Sequence, residues 1–122
     1  MQQEQFKELV AKAVENLPPR LKESLENIDI VVQDWPNPEQ LDEVGVKRRQ
    51  DLLGLYEGVP LTKRGRGYNM VLPDKISIFQ KPIEMCYHSD EKIVKKIQST
   101  VQHEIAHYFG ISDRRLREIG RY

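Results

Sequence analysis

The chain has 122 residues, of which 31% are charged and 39% hydrophobic, and its 19 basic side chains balance 19 acidic ones. This length fits one domain over residues 1–122, and a formal net charge of zero gives no overall field for nucleic acid or a membrane surface. No apolar run is long enough to span a membrane, and a single cysteine with no secretory signal indicates the cytoplasm.

The patterns along the chain predict helices and short strands. Apolar residues recur at helical spacing between residues 2 and 17, and the stretch from Ile28 to Val32 is β-branched, which is typical of a strand. In chain order, we predict helices over 2–17, 20–26 and 39–44, strands over 28–32, 52–56 and 76–79, an irregular loop over 63–67, and a long helix over 90–109.

Individual residues mark several of the predicted boundaries. Asn37 before Pro38 is a good helix cap, as is Ser89 before the long helix, and Gly110 is expected to end that helix. Pro82 favours an edge position for the strand over 76–79, where a missing hydrogen-bond donor does no harm. The order predicts an α+β fold, a small mixed sheet packed by an N-terminal helix and the long helix.

The residues with the most chemistry lie in the stretch HEIAH, positions 103–107. Within a helix, His103 and His107 lie one above the other on the same face, where two imidazoles can bind one metal ion. Glu104 lies about 100° around the helix from His103, so its carboxylate can reach a metal-bound water. The spacing predicts two metal ligands and a general base.

The helical phase separates the two histidines from the main apolar surface of the long helix. At about 100° per residue they fall about 150° from the centre of the apolar stripe. We therefore expect them in a polar cleft. The stripe consists of Val94, Ile97, Val101, Ile105 and Tyr108, and the side of the histidines also carries Lys96, Ser99 and Thr100.

Asp113 is the predicted third metal ligand, because a catalytic zinc site usually takes three protein ligands. Gly110 can adopt a positive φ and turn the chain back toward the metal, which brings this carboxylate into range. In the alternative interpretation, Asp113 caps a short helix over 114–119 together with Ser112. Glu118 or a second water would then complete the coordination.

Three blocks carry a resemblance to a known family: HEIAHYFGISDRRL at 103–116, LLGLYEGVPLTKRG at 52–65 and LPDKISIFQKPI at 72–83. They resemble the small bacterial zincin-like metallopeptidases, a minimal form of the zincin fold with an HExxHxxGxxD motif. The likeness covers most of the chain after about Ile28. It implies one zinc ion, a peptidase-type active site and an α+β fold.

These observations predict a zinc metallopeptidase with a peptide or protein substrate. His103, His107 and Asp113 hold one Zn²⁺, and Glu104 takes the proton of the metal-bound water and returns it to the leaving amine. An extended peptide is expected to add to the edge of the strand around Ile76–Gln80.

Two other functions remain open at this stage. The first is a zinc-dependent endoribonuclease, in which basic runs at 47–49 and 63–66 guide RNA, although Glu104 suits a peptidase better. The second is a non-catalytic, metal-stabilised interaction domain. The sequence carries no indication of an oligomeric state.

Overall fold

The structure is a computed structural model that describes residues 1–60, 63, 65 and 74–110. The predicted loop over 63–67 lies largely outside these residues. None of the helices within them is both long and apolar enough to cross a lipid bilayer. The elements are α1 (Gln3–Glu15), α2 (Pro19–Ser24), β1 (Ile28–Gln33), α3 (Pro38–Val44), a 3-10 turn (Arg49–Asp51), β2 (Gly54–Glu57), β3 (Asp74–Phe79), α4 (Gln80–Cys86) and α5 (Asp90–Tyr108).

The three described strands form a mixed sheet in the order β1-β3-β2. β1 runs parallel to β3, with Ile30 beside Ile76, and β2 runs antiparallel to it, with Tyr56 beside Ile76. The α+β prediction with a small mixed sheet is confirmed, but the edge position of β3 is wrong. The residues after β3 form α4, a helix that was not predicted, and Pro82 lies in its first turn. Proline is tolerated there because amides of the first turn have no partner within their helix.

One buried cluster joins α1, α5 and one face of the sheet. Alternate strand residues point to the same face, so Ile76 and Ile78 of β3 and Tyr56 of β2 enter this cluster together. Phe6 of α1 and Ile97 of α5 are fully buried against them. The N-terminal helix and the long helix therefore both pack on the sheet, as predicted, and they lie on the same side of it.

Local signals set the ends of α3 and α5. The Asn37 side chain accepts a hydrogen bond from the Gln40 amide at 2.8 Å, and the Ser89 hydroxyl accepts one from the Lys92 amide at 3.2 Å. Both predicted caps are confirmed. Each satisfies an amide that the first helical turn leaves unpaired.

Candidate metal centre

The last turns of α5 bring two imidazoles together. His103 and His107 are half-buried, and their Nε2 atoms lie 3.2 Å apart. The ring centroids are 4.8 Å apart, and the ring planes are tilted by 39°. The four-residue spacing thus produces a convergent pair of nitrogen donors.

This pair fits a single divalent ion. Two nitrogen ligands at the usual zinc distance and a tetrahedral angle would be about 3.3–3.4 Å apart. The observed 3.2 Å is close to that separation. One ligand atom from each of His103, Glu104 and His107 lies within 4.8 Å of the others, so the group could hold a metal.

Glu104 contributes a buried carboxylate beside the histidines. Its side chain is 8% exposed, and its Oε2 atom lies 3.9 Å from His103 Nε2. Its Oε1 atom accepts a hydrogen bond of 2.7 Å from the backbone amide of Tyr56 in β2. The two carboxylate oxygens therefore face different groups, one the sheet and the other the imidazoles.

The hydrogen bond between Glu104 and the Tyr56 amide requires α5 and β2 to lie close together, and they do. Thr100 of α5 is buried against Gly54 of β2, where a Cβ atom would overlap Thr100 Cγ2 and lie 3.2 Å from the Ser77 carbonyl oxygen. Thr100 therefore does not lie in a polar cleft as predicted. The buried face of α5 is wider than the apolar stripe, because it also includes Thr100 and Glu104.

Tyr56 is held at its side chain as well as at its amide. Its hydroxyl donates a hydrogen bond of 2.6 Å to Asp74 Oδ1, and Asp74 is buried at the start of β3. Its ring meets the ring of Tyr108 edge-on, with centroids 5.7 Å apart. The sequence analysis singled out neither Tyr56 nor Asp74, because no spacing along the chain marks the contact between them.

The family model for zincin-like metallopeptidases matches residues 25–121. The chain belongs to this family. No curated protein matches the sequence as a relative. Membership in the zincin-like metallopeptidase family implies zinc binding and a peptide substrate, and the nitrogen and oxygen donors of the described residues are ones that zinc accepts.

The third ligand of this zincin-like site stays a prediction. Asp113 lies outside the described residues, as do Ser112 and Glu118 of the alternative interpretation. Helix α5 ends at Tyr108, and Gly110 adopts a φ of 85°, a left-handed conformation that suits glycine. The predicted end of the helix is therefore confirmed.

We expect Gly54→Ala to destabilise the protein by about 1–3 kcal/mol, because the added methyl group overpacks the contact with Thr100. Urea unfolding measures the change. Gly65→Ala is the matched control, since a Cβ there meets nothing within 4 Å, and its expected effect is about 0.5 kcal/mol or less. Adding Thr100→Ser removes the overlapping methyl and should restore part of the loss. Equal effects of the two alanine variants would contradict the close approach.

Proposed function

We propose that the chain is a zinc-dependent peptidase in which His103 and His107 hold one Zn²⁺ and Asp113 is the third ligand. The observation that carries this proposal is the 3.2 Å separation of the two Nε2 atoms, with the Glu104 carboxylate beside them. Family membership supports the peptide substrate. The single cysteine fits a reducing compartment, and we propose the cytoplasm.

Glu104 acts as the general base in this proposal. When bound, zinc supplies Lewis-acid polarisation of the scissile carbonyl and acidifies the attacking water. The Oε2 atom of Glu104 faces the imidazoles and takes the proton of this water, and the carboxyl group then delivers the proton to the leaving amine. Burial shields the carboxylate from bulk water, while the Tyr56 amide holds its other oxygen.

The substrate is proposed to lie along β2 rather than β3. β3 is the central strand of the three-stranded sheet, so both of its edges are already paired. Among the described strands, β2 lies at an edge of the sheet, and it carries the hydrogen bond to Glu104. Because the Tyr56 amide is already bonded to Glu104, an extended peptide beside β2 would bond to the strand's other outward backbone groups, close to the general base.

The environment of the first basic run favours a peptide over RNA. Arg48 donates hydrogen bonds of 2.9 and 3.0 Å to the Asp51 carboxylate, which lowers the pKa of that carboxyl group. The Arg49 guanidinium lies 3.9 Å from the centroid of the Trp35 ring. A phosphate would have to compete with these partners, and the Asp51 carboxylate beside Arg48 offsets part of the positive charge of this run.

The test is to incubate the zinc-reconstituted chain with fluorescein-labelled unfolded casein and, in parallel, with a structured RNA. We expect about one zinc per chain and cleavage of casein alone, lost with EDTA and restored by zinc. RNA cleavage alone, abolished by His107→Ala, would favour the ribonuclease. Stoichiometric zinc with neither substrate cut would favour the non-catalytic interaction domain.

A further inference from the structure

The backbone amide of Tyr56 points away from the centre of the sheet. The Phe79 amide donates a hydrogen bond of 2.9 Å to the Leu53 carbonyl, so Leu53 and the alternate residue Leu55 direct their backbone groups toward β3. Tyr56 therefore directs its amide away from β3, and the Glu104 carboxylate accepts a hydrogen bond from it. The contact thus links β2 to the carboxylate of α5.

This hydrogen bond selects one orientation of the carboxylate. A glutamate side chain has three rotatable bonds, and its last torsion is broad, so burial alone does not aim a particular oxygen. With Oε1 held 2.7 Å from the Tyr56 nitrogen, Oε2 is left 3.9 Å from His103 Nε2. The amide therefore holds one oxygen at β2, while the other lies on the side of the imidazoles.

The Tyr56 side chain is itself anchored at its far end. The hydroxyl donates to Asp74 Oδ1 at 2.6 Å, and Asp74 is 3% exposed. At Gly58, which follows β2, a Cβ atom would overlap Asp74 Oδ1 and lie 2.7 Å from the Tyr56 hydroxyl oxygen. The close packing of Gly58 against this pair keeps the end of β2 in place.

We propose that Tyr56 is a positioning residue for Glu104: Asp74 anchors its hydroxyl, and its amide holds Oε1 so that Oε2 lies on the side of the imidazoles, where the proton is taken. This inference rests on the proposed function for its kinetic consequence. Its structural part is the link from the Tyr56 hydroxyl through β2 to the Glu104 carboxylate, which can be measured on protein that cleaves no peptide.

The decisive variant is Tyr56→Phe, which keeps the ring and removes only the hydroxyl. Amide hydrogen exchange followed by NMR on the metal-free and zinc-loaded full chain should show the position-56 amide exchanging about 10-fold faster than in wild type. With labelled casein, kcat should fall about 10-fold, while KM stays within about 2-fold and zinc content is unchanged. In Glu104→Gln, the Tyr56 amide proton should move upfield, since a neutral acceptor is weaker than a carboxylate.

Two matched variants separate positioning from general stability. Asp74→Asn keeps an acceptor oxygen for the Tyr56 hydroxyl but removes its charge, so exchange and kcat should change in the same direction as in Tyr56→Phe and by a smaller factor. Tyr87→Phe removes a hydroxyl at the end of α4 and should change neither the exchange rate of the position-56 amide nor kcat. Both results together with the Tyr56→Phe effects would support the proposal.

Three results would overturn it. The first is an exchange rate of the position-56 amide in Tyr56→Phe that equals the wild-type rate. The second is an equal rise in the exchange rate of the Ser77 amide in β3, which would indicate general loosening. The third is a wild-type kcat in Tyr56→Phe even though the position-56 amide exchanges faster. If wild-type protein cleaves nothing, the proposed function fails by itself. The exchange data then still decide whether Tyr56 holds the carboxylate.

Discussion

Replacing Glu104 with glutamine is expected to lower kcat about 10²- to 10⁴-fold while zinc content and fold are retained. The oxygen of the introduced carboxamide can still accept the hydrogen bond that Oε1 accepts from Tyr56, so the link between α5 and β2 survives. A carboxamide, however, cannot take a proton from water at neutral pH. Cleavage kinetics on labelled casein, beside elemental analysis for zinc, would measure both effects.

The control for this prediction lies on the same helix. Glu91 is exposed in the first turn of α5 and lies 3.4 Å from Lys95, so Glu91→Gln removes an equal charge far from the histidines. It should leave kcat within about 2-fold, as is usual for a surface residue. If Glu104→Gln were as active as Glu91→Gln, the assignment of a general base would be lost.

His107→Ala is expected to weaken zinc binding by about 70- to 900-fold, because a binding free energy of about 10–16 kcal/mol shared among about four ligands gives about 2.5–4 kcal/mol for each. Zinc at 1,000 times its dissociation constant should stabilise the wild type by about 4 kcal/mol. At the same zinc concentration the variant should keep only about 0.4–1.6 kcal/mol of this gain, because the His107 imidazole, whose Nε2 lies 3.2 Å from His103 Nε2, is gone. Isothermal titration with zinc and thermal unfolding with and without the ion measure the two effects.

His88 provides the matched histidine control. It lies between α4 and α5, outside the donor group of His103, Glu104 and His107. His88→Ala should keep both the zinc affinity and the zinc-dependent rise in Tm. Retention of stoichiometric zinc by His107→Ala would contradict the proposed site and the peptidase mechanism with it.

The local parts of the site follow from the sequence. Spacing within one helix brings His103 and His107 together, since residues four apart share a helix face. The Ser89 cap and Gly110 act on the residues next to them, so the bounds of α5 are predicted to within one or two residues. These features depend on interactions between near neighbours along the chain.

The surroundings of Glu104 do not follow from the sequence. Its hydrogen-bond partner, Tyr56, is 48 residues away in the sequence, and the anchor of Tyr56 is 18 residues further along the chain. Periodicity placed Glu104 beside the polar face of α5, but β2 packs against it and buries it. Helical phase gives the direction of a side chain and does not tell which element covers it.

The sheet order illustrates the same limit. Alternation and β-branching predict that residues 76–79 form a strand. Which strands pair with it depends on the other strands of the chain and on the connections between them, and these are not local properties. β3 is the central strand because it pairs with β1 on one side and β2 on the other.

The sequence by itself determined the helical histidine pair, the helix caps and the α+β class, because these depend on backbone geometry and on contacts within a turn or two of helix. Only the tertiary structure decided that β3 is central, that Gly54 admits Thr100, and that the Tyr56 amide holds Glu104. The physical reason is that these contacts join distant segments. They form only when the shared apolar core brings α5 and the sheet together.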